Sequence, residues 1–340
     1  MTIDVLRPGL LSTFQDLGRV GCQYLGVPVA GAMDERAHRL ANLLVGNDEP
    51  RATLEITLTG PQLEFRAPAC IALCGADLGA TLDGAPLPLN RPLVVRAGSR
   101  LGFGSRRHGL RAYLAVHGGY RLDTVMGSES TYLRAAFGGF GGRALARGDR
   151  IELRHPLDPG AALDTLQSEL HALRIYLPAA LTGAPRPALR VTPGPQWDEF
   201  EPASGQALLG EPFRIGAQSD RMGYRLEGPR LSLARPRQML SEAACFGTVQ
   251  VPAGGAPIVL MADRQTTGGY PRIAQVAQVD LPQLAQSAPG EYVRFEAITL
   301  DAAQELDGRR ERAWAALRAA LQPLRDLLAR HGTTPLAADA

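Results

Sequence analysis

Short apolar runs that end at glycine or proline fill most of this chain. Its 340 residues include 38 Gly and 26 Pro, which interrupt the sequence before long amphipathic helices can develop. Runs of this kind, bounded by turn-forming residues, are typical of β-strands. The pattern therefore predicts a mainly β protein, a β-rich α+β fold. The predicted strands are 54–58, 62–65, 71–74, 93–96, 99–103, 111–116, 150–153, 189–192, 230–233, 247–251, 257–261 and 292–295.

Helices are predicted at fewer places. Asp34 is a good N-cap for apolar residues at helical spacing, and Asp280 followed by Pro282 opens a second, short helix. Residues 314–328 carry a stripe of Trp and Leu at helical spacing, which predicts a C-terminal helix packed on its own protein. Pro323 is expected to bend that helix.

The two halves of the chain share a spacing of arginine and glycine. The pattern Arg-x-Gly-x4-Gly occurs at 19–26 and again at 221–228, and two further pairs of segments match in the same order. Three matches in one order predict a duplicated β-barrel unit.

The predicted domain boundaries lie where the residue pattern changes along the chain. We expect a first barrel at 1–155, a Pro- and Ala-rich connection at 156–187, a second barrel at 188–300 and a helical tail at 301–340.

All 36 basic residues are arginine, because the sequence contains no lysine. The chain therefore cannot supply a Schiff-base lysine, a P-loop lysine or the lysine to which biotin is attached. A net charge of +2 gives no electrostatic case for nucleic acid or an anionic membrane. The six His are scattered and form no metal motif.

The four cysteines are too few for a disulfide framework in a chain of this length. Cys70 and Cys74 lie on one face of an apolar strand, where we expect buried, free thiols. The N-terminus has no basic region followed by an apolar segment, and no apolar stretch reaches the length of a membrane span. A cytoplasmic protein is the expectation.

The densest polar segment is 262–272, which follows the very apolar predicted strand 257–261. Charged, amide and hydroxyl side chains stand in a row there, and two glycines allow a ligand to approach the backbone closely. We predict a functional site, with a plain solvated loop as the alternative. Its predicted catalytic residues are Asp263 and Arg264, and its predicted substrate-binding residues are Gln265, Thr266, Thr267, Gly268, Gly269, Tyr270 and, from a separate strand end, Glu242.

Two shorter clusters place an amide, a carboxylate and a guanidinium ahead of glycines. They consist of Gln15, Asp16 and Arg19, and of Gln218, Asp220 and Arg221. An arginine fork binds carboxylate, phosphate or carbamate, and an aspartate can orient it or exchange protons. We predict the four charged residues as catalytic and the two glutamines as substrate-binding. An Asp–Arg pair that only holds a turn is the structural alternative.

Six segments resemble the signature blocks of one family. They are Arg7-Pro-Gly-Leu-Leu-Ser-Thr-Phe-Gln-Asp-Leu-Gly-Arg19, Gly26-Val-Pro-Val-Ala-Gly-Ala-Met-Asp34, Leu54-Glu-Ile-Thr-Leu-Thr-Gly-Pro61, Pro193-Gly-Pro-Gln-Trp-Asp198, Gln218-Ser-Asp-Arg-Met-Gly223 and Ala262-Asp-Arg-Gln-Thr-Thr-Gly-Gly-Tyr-Pro271. Over residues 3–296 the chain resembles the KipA family, also called allophanate hydrolase subunit 2 or biotin-dependent carboxyltransferase-like, whose bacterial members include the C subunit of 5-oxoprolinase.

The resemblance implies two cyclophilin-like β-barrel domains and two partner chains, one KipI-like and one LamB/YcsF-like. It implies that the three chains open 5-oxo-L-proline to L-glutamate with ATP, by phosphorylating the lactam carbonyl and then adding water. That path needs cations at a developing oxyanion, a role for which Arg19, Arg221 and Arg264 are candidates. ATP is expected to serve the complex without binding to this chain alone, which is expected to be inactive by itself.

Two other functions stay open. One is the carboxyltransferase component of a biotin-dependent, urea-carboxylase-like system, which needs a separate biotin carrier because this chain has no lysine. The other is a regulatory binder of a KipI-like kinase inhibitor.

Overall fold

The computed structural model describes residues 1–158, 160–182, 185–235, 237 and 239–331. These residues form two compact units. Unit 1 contains Met1–Gly18, Asp34–Pro178 and the chain from Trp314 onward, and unit 2 contains Arg19–Met33 and Ala179–Ala313. The division differs from the predicted boundaries, because an early segment belongs to the second unit and the predicted tail is shared between both. Residues 332–340 of that predicted tail lie outside the described residues.

The helices of the described chain are short, apart from one near its end. They are α1 Glu35–Leu44, α2 Leu163–Ala172, α3 Ala179–Thr182, α4 Pro202–Gly210, α5 Leu281–Ala285, α6 Leu300–Ala320 and α7 Gln322–His331. None of the helices in these ranges is long and apolar enough to cross a lipid bilayer. α1 begins as predicted, since Oδ1 of Asp34 accepts a hydrogen bond from the Ala37 amide at 2.9 Å.

The predicted C-terminal helix is in fact two helices. α6 ends at Ala320 and α7 begins at Gln322, so Pro323 lies in the first turn of α7, where its missing N–H is not needed. Within unit 1, the side chain of Leu328 in α7 packs over Gly46, the glycine that follows α1. The apolar stripe therefore packs on its own protein, as expected.

Unit 1 is built from antiparallel strands in two sheets. The strands are β1 Thr2–Arg7, β2 Leu11–Gln15, β3 Thr53–Thr57, β4 Gln62–Phe65, β5 Ala69–Asp77, β6 Thr81–Leu82, β7 Ala85–Pro86, β8 Pro92–Val95, β9 Arg100–Gly102, β10 His108–Val116 and β11 Arg150–Glu152. Their orders are β11-β1-β4-β9-β6-β7 and β2-β3-β10-β5-β8. Side chains from both sheets, such as Ile3, Phe65, Leu54 and Leu114, form one fully buried apolar core.

Unit 2 is organised around one large sheet. Its strands are β12 Leu189–Pro193, β13 Phe213–Ile215, β14 Gly223–Glu227, β15 Glu242–Ala243, β16 Thr248–Gln250, β17 Ile258–Leu260, β18 Thr267–Gly268, β19 Arg272–Val276, β20 Tyr292–Val293 and β21 Phe295–Ala297. Eight of them run in the order β20-β13-β14-β17-β16-β19-β12-β21. The two edge strands are separated in sequence only by Arg294, so the sheet is a nearly closed barrel around a second apolar core. β15 and β18 form a separate two-stranded ribbon.

The mainly β prediction is confirmed, but two details of the prediction are wrong. Segment 230–233 is not a strand and makes only the isolated bridge between Phe200 and Leu233. The segments 19–26 and 221–228 both lie in unit 2 and fold differently, because Gln23–Leu25 is a 3-10 turn whereas Gly223–Glu227 is strand β14. The spacing of glycines indicates where a chain can turn, but it does not determine the secondary structure that forms between them.

Candidate functional site

The polar segment 262–272 is a built element of unit 2. It begins directly after β17, and its residues Thr267 and Gly268 form β18, which places Gly268 opposite Glu242 of β15. Asp263, at the start of the segment, is 4% exposed, whereas Tyr270 near its end is 50% exposed. The segment therefore runs from a buried residue at the end of β17 to the exposed Tyr270, with Thr267 and Gly268 paired in a short ribbon.

Glu242 lies beside this segment but its charge is already paired. Its carboxylate accepts a hydrogen bond from the guanidinium of Arg272, and Arg272 also donates to the carbonyl of Ala243 at 3.1 Å. The pair ties β15 to the end of the segment. The Glu242 carboxylate is thus engaged with Arg272, and its role in substrate binding stays a prediction.

Arg221 and Asp263 form a buried, two-pronged ion pair. Nε of Arg221 donates to Oδ2 of Asp263 at 2.9 Å and Nη2 donates to Oδ1 at 2.8 Å, with only 7% and 6% of the two side chains exposed. Nη2 also donates to the carbonyl of Gly31 at 2.7 Å. Both carboxylate oxygens of Asp263 are engaged, so this ion pair joins two residues that the sequence analysis predicted as catalytic in two separate segments.

Arg264, the next residue, is placed very differently. Its Nε donates to the carbonyl of Ala244 at 3.2 Å, and Nη1 reaches the carbonyls of Met261 and Ala262 at 3.4 Å. The guanidinium lies 5.8 Å from the centre of the Phe246 ring. Among the described residues no carboxylate forms a salt bridge with it, and burial lowers its pKa, partly offset by Cys245 and Asp263.

A half-buried cation held only by backbone carbonyls is suited to an anionic ligand. Desolvation penalises its charge, and an incoming carboxylate or oxyanion would offset that penalty. Of the arginines predicted to be catalytic, Arg264 is therefore the one whose surroundings fit that role.

Gln15 and Asp16 belong to unit 1, where they hold a loop. The Asp16 carboxylate accepts hydrogen bonds from the amides of Gly18 and Glu129 and from the hydroxyls of Ser128 and Ser130, at 2.5–2.7 Å. Nε2 of Gln15 donates to the hydroxyl of Thr13 and to the carbonyl of Thr131, at 3.1 Å each. Four donors on one buried carboxylate favour the structural alternative here.

The remaining predicted residues lie in unit 2. Arg19 is 1% exposed, and its amide donates to the carbonyl of Val29 at 2.8 Å. Oδ1 of Asp220 accepts from the amides of Met222 and Gly223 at 2.7 and 3.3 Å, which caps the turn before β14. Gln218 is exposed. The structure therefore gathers the 262–272 segment, Glu242 and Arg221 in one unit and leaves Gln15 and Asp16 in the other.

The sequence interpretation overlooked Gln250, the last residue of β16. It is 2% exposed, and neither of its amide atoms is among the fully buried side-chain atoms that lack a hydrogen-bond partner. Its Nε2 lies 2.8 Å from the point that a Cβ on Gly268 would occupy, and Nε2 of Gln265 lies 3.3 Å from the same point. An amide inside the apolar run Gly247-Thr-Val-Gln-Val251 was the available signal, since buried polar groups normally have partners.

Among the residues described, no group of three or more His, Cys, Asp or Glu is arranged to hold a metal ion. The 262–272 segment and the adjacent end of β16 offer one under-compensated guanidinium, two carboxamides and three hydroxyls beside a pair of glycines. Side chains of these types are chemically suited to a small, polar ligand that carries an anionic group.

Known proteins share this fold. The family model of the carboxyltransferase domain, subdomain A and B, matches residues 25–297. The chain belongs to that family.

Two bacterial relatives match almost end to end. The C subunit of 5-oxoprolinase from Escherichia coli (strain K12) is 40% identical over 301 residues, which cover 88% of this chain and 93% of that protein. The Haemophilus influenzae protein of the same name is 38% identical over 309 residues, covering 91% and 95%.

The chain is also similar in structure to one part of a longer protein. The crystal structure of the Kluyveromyces lactis urea carboxylase matches with a TM-score of 0.83 at 29% identity, and the match covers 93% of this chain but 29% of that one. The chain thus corresponds to one part of a longer enzyme in that case, and to a whole subunit in the bacterial relatives.

Proposed function

We propose that this chain is the C subunit of an ATP-dependent 5-oxoprolinase, a cytoplasmic complex that opens 5-oxo-L-proline to L-glutamate. The observation that carries the proposal is the 40% identity to the Escherichia coli 5-oxoprolinase protein across 93% of that protein. A match of that extent leaves no large part of the relative without a counterpart. The proposed partners are a KipI-like chain and a LamB/YcsF-like chain.

The 262–272 segment gives this proposal a chemical site. 5-Oxo-L-proline carries a carboxylate and a planar lactam. Transfer of the γ-phosphoryl group of ATP to the lactam oxygen would release ADP and activate the carbon for addition of water. Loss of phosphate and cleavage of the ring C–N bond, with a proton passing to nitrogen, would then give L-glutamate. Arg264 would stabilise the carboxylate or the charge that develops on oxygen. Thr266, Thr267 and the backbone at Gly268 and Gly269 would orient the ring.

We assign the binding of ATP to the partner chains. Phosphate cradles of the P-loop type need a lysine after a glycine-rich turn, and this sequence has no lysine. This chain would then contribute the substrate pocket, and the isolated chain would be inactive.

Reconstitution tests the proposal. The chain would be purified alone and then mixed with the KipI-like and LamB/YcsF-like chains, and 5-oxoproline-dependent release of ADP and glutamate would be measured. We expect turnover only in the three-chain mixture. Turnover by the lone chain, or a stable three-chain complex without turnover, would contradict it.

A second candidate is the carboxyltransferase component of a urea-carboxylase-like system, favoured by the structural match to the Kluyveromyces lactis urea carboxylase. It would move a carboxyl group from biotin on a separate carrier to an amide nitrogen. Activity that requires a biotinylated carrier and is blocked by avidin would select this function over the first.

A further inference from the structure

Backbone carbonyls and one aromatic ring hold the Arg264 guanidinium. Its three carbonyl acceptors lie at 3.2–3.4 Å, and two of them belong to the three residues before it. The third acceptor, the carbonyl of Ala244, comes from a different segment, and the Phe246 ring 5.8 Å away belongs to that segment too. The direction of the guanidinium therefore depends on where the segment 243–246 lies.

Two side chains of β19 hold this segment at its two ends. Nη1 of Arg272 donates to the carbonyl of Ala243 at 3.1 Å, and Nε2 of Gln275 donates to the carbonyl of Phe246 at 2.7 Å. The guanidinium of Arg272 also pairs with Glu242, the residue directly before the segment. The carbonyl that orients the catalytic candidate lies between these two bonded positions.

A β-bulge in β19 places both of these side chains on one face. Gln275 stands opposite Thr248 and Arg272 stands opposite Gln250, whereas Ile273 has no counterpart on β16. The two residues of β16 alternate and so share a face, and their opposite numbers on β19 share it as well. In a regular strand, residues three positions apart would point to opposite faces. Bulges often redirect a side chain next to a functional site.

We propose that Arg272 is a positioning residue, which fixes the segment 243–246 and thereby holds the Arg264 guanidinium where an anionic group of the substrate binds. The proposal rests on the proposed function and names a residue that sets the strength of that site. The role needs a rigid fork of donors, since one arm bonds Glu242 and the other bonds Ala243. Arg272 acts through Arg264 and does not itself touch the substrate.

A double-mutant cycle in the reconstituted three-chain complex tests the proposal. Arg264→Ala should lower kcat/KM for 5-oxo-L-proline about hundredfold and Arg272→Gln about tenfold, with both losses in the same parameter, kcat or KM. In the Arg264→Ala background, Arg272→Gln should have no further effect, because the group through which it acts is already absent. Losses that multiply in the double variant, or that fall on different parameters, would overturn the proposal.

Two other variants serve as controls. Arg214→Gln removes a guanidinium that pairs with Glu227 at 3.0 Å on the surface of the same unit, and kcat/KM should stay within about twofold of wild type. An equal loss in this variant would show a general effect of breaking a surface ion pair and would refute the specific role. Arg272→Lys retains the charge without the fork and should lose about threefold. If Arg272→Gln does not fold, this variant carries the same cycle, with a loss that disappears in the absence of Arg264.

The Arg264 side chain provides a second readout that needs no turnover. Its Nε–H, which is bonded to the Ala244 carbonyl, should give a resonance in 1H–15N spectra of the full chain, assigned by its loss in Arg264→Ala. Arg272→Gln should shift this resonance and speed its exchange with water about tenfold, whereas Arg214→Gln should leave it unchanged. A resonance that does not respond to Arg272→Gln, or that is absent from the wild type because the guanidinium is not held, would contradict the proposal.

The outcomes also separate this proposal from the proposed function. A resonance that responds to Arg272→Gln, in a chain whose assembled complex does not turn over 5-oxo-L-proline, would support the positioning of Arg264 and contradict the function. Normal turnover by the wild-type complex, with independent effects of the two arginines, would support the function and contradict the positioning.

Discussion

Asp263 and Arg264 are neighbours in sequence, but we expect their replacement by alanine to have different effects. Asp263→Ala should mainly reduce stability, and Arg264→Ala should mainly reduce turnover. Asp263→Ala removes the acceptor of two charge-assisted hydrogen bonds, at 2.8 and 2.9 Å, and takes this carboxylate away from Arg221, a cation at 6% exposure. Breaking a buried pair of this kind costs about 3–5 kcal/mol. Two charge-assisted bonds at about 1.5–3 kcal/mol each give about 3–6 kcal/mol, which overlaps that range.

Arg264→Ala should cost far less stability. Its three contacts are at 3.2–3.4 Å, near the outer limit for a hydrogen bond, and its removal also relieves the desolvation of a charge. We expect about 1 kcal/mol or less, with turnover of the reconstituted complex strongly reduced and assembly intact.

The chain offers a convenient reporter for this comparison. It has two tryptophans, Trp197 in unit 2 and Trp314 in unit 1. In a Trp314→Phe background, urea unfolding followed by fluorescence reports on unit 2 alone, where the substituted residues lie. A stable Asp263→Ala protein without activity would place Asp263 in the chemistry, and an active Arg264→Ala complex would remove Arg264 from the site.

Three further predictions concern unit 1 and the thiols. Burial lowers the pKa of His38 from 6.5 to about 4, so the unfolded chain takes up this proton first. Stability of unit 1 should be complete above pH 6.5 and fall by about 3 kcal/mol towards pH 4, and His38→Gln should flatten that part of the pH profile. Burial raises the pKa of Cys70 to about 12 and raises that of Cys74 further, so a thiol reagent should label exposed Cys245 and reach these two only on unfolding. Glu49, 8% exposed, accepts bonds from Arg39 and Arg318, so Glu49→Gln should cost about 2 kcal/mol by thermal unfolding of unit 1.

Local chemistry in the sequence was sufficient for many elements of the fold. The predicted strands 54–58, 62–65 and 189–192 differ from β3, β4 and β12 by one residue or less at each end. The cap at Asp34 and the short helix after Asp280 are also present. These features depend on periodicity, caps and breakers, all of which act within a few residues.

Elements whose stability comes from distant packing escaped prediction. α4, Pro202–Gly210, contains two glycines in nine residues and has no clear helical pattern, yet Ser204 and Leu208 are buried against the rest of unit 2. Conversely, segment 230–233 has strand-like composition but no neighbouring strand to extend a ladder. Tertiary context decided both cases.

The candidate site shows the same limit. The polar composition of the 262–272 segment and the apolar strand before it were enough to single out this segment. They did not show which of its side chains are bonded within the protein. The Arg221–Asp263 pair joins residues 42 positions apart and also involves Gly31. No rule of sequence spacing predicts that Gly31, Arg221 and Asp263 meet. The sequence alone therefore does not tell a carboxylate bonded in a structural ion pair from one that is free to act.

The interleaving of the two units limits how this protein can be taken apart. Arg19–Met33 is synthesised early but belongs to the unit whose strands, β12 to β21, come from the second half of the chain. Gly31 supplies a carbonyl to Arg221, so a fragment that starts at the Pro- and Ala-rich connection would lack part of its own barrel. Expression of the two units as separate pieces therefore needs rearranged chains that carry residues 19–33 with unit 2 and the chain from Trp314 onward with unit 1, since no single cut separates the units.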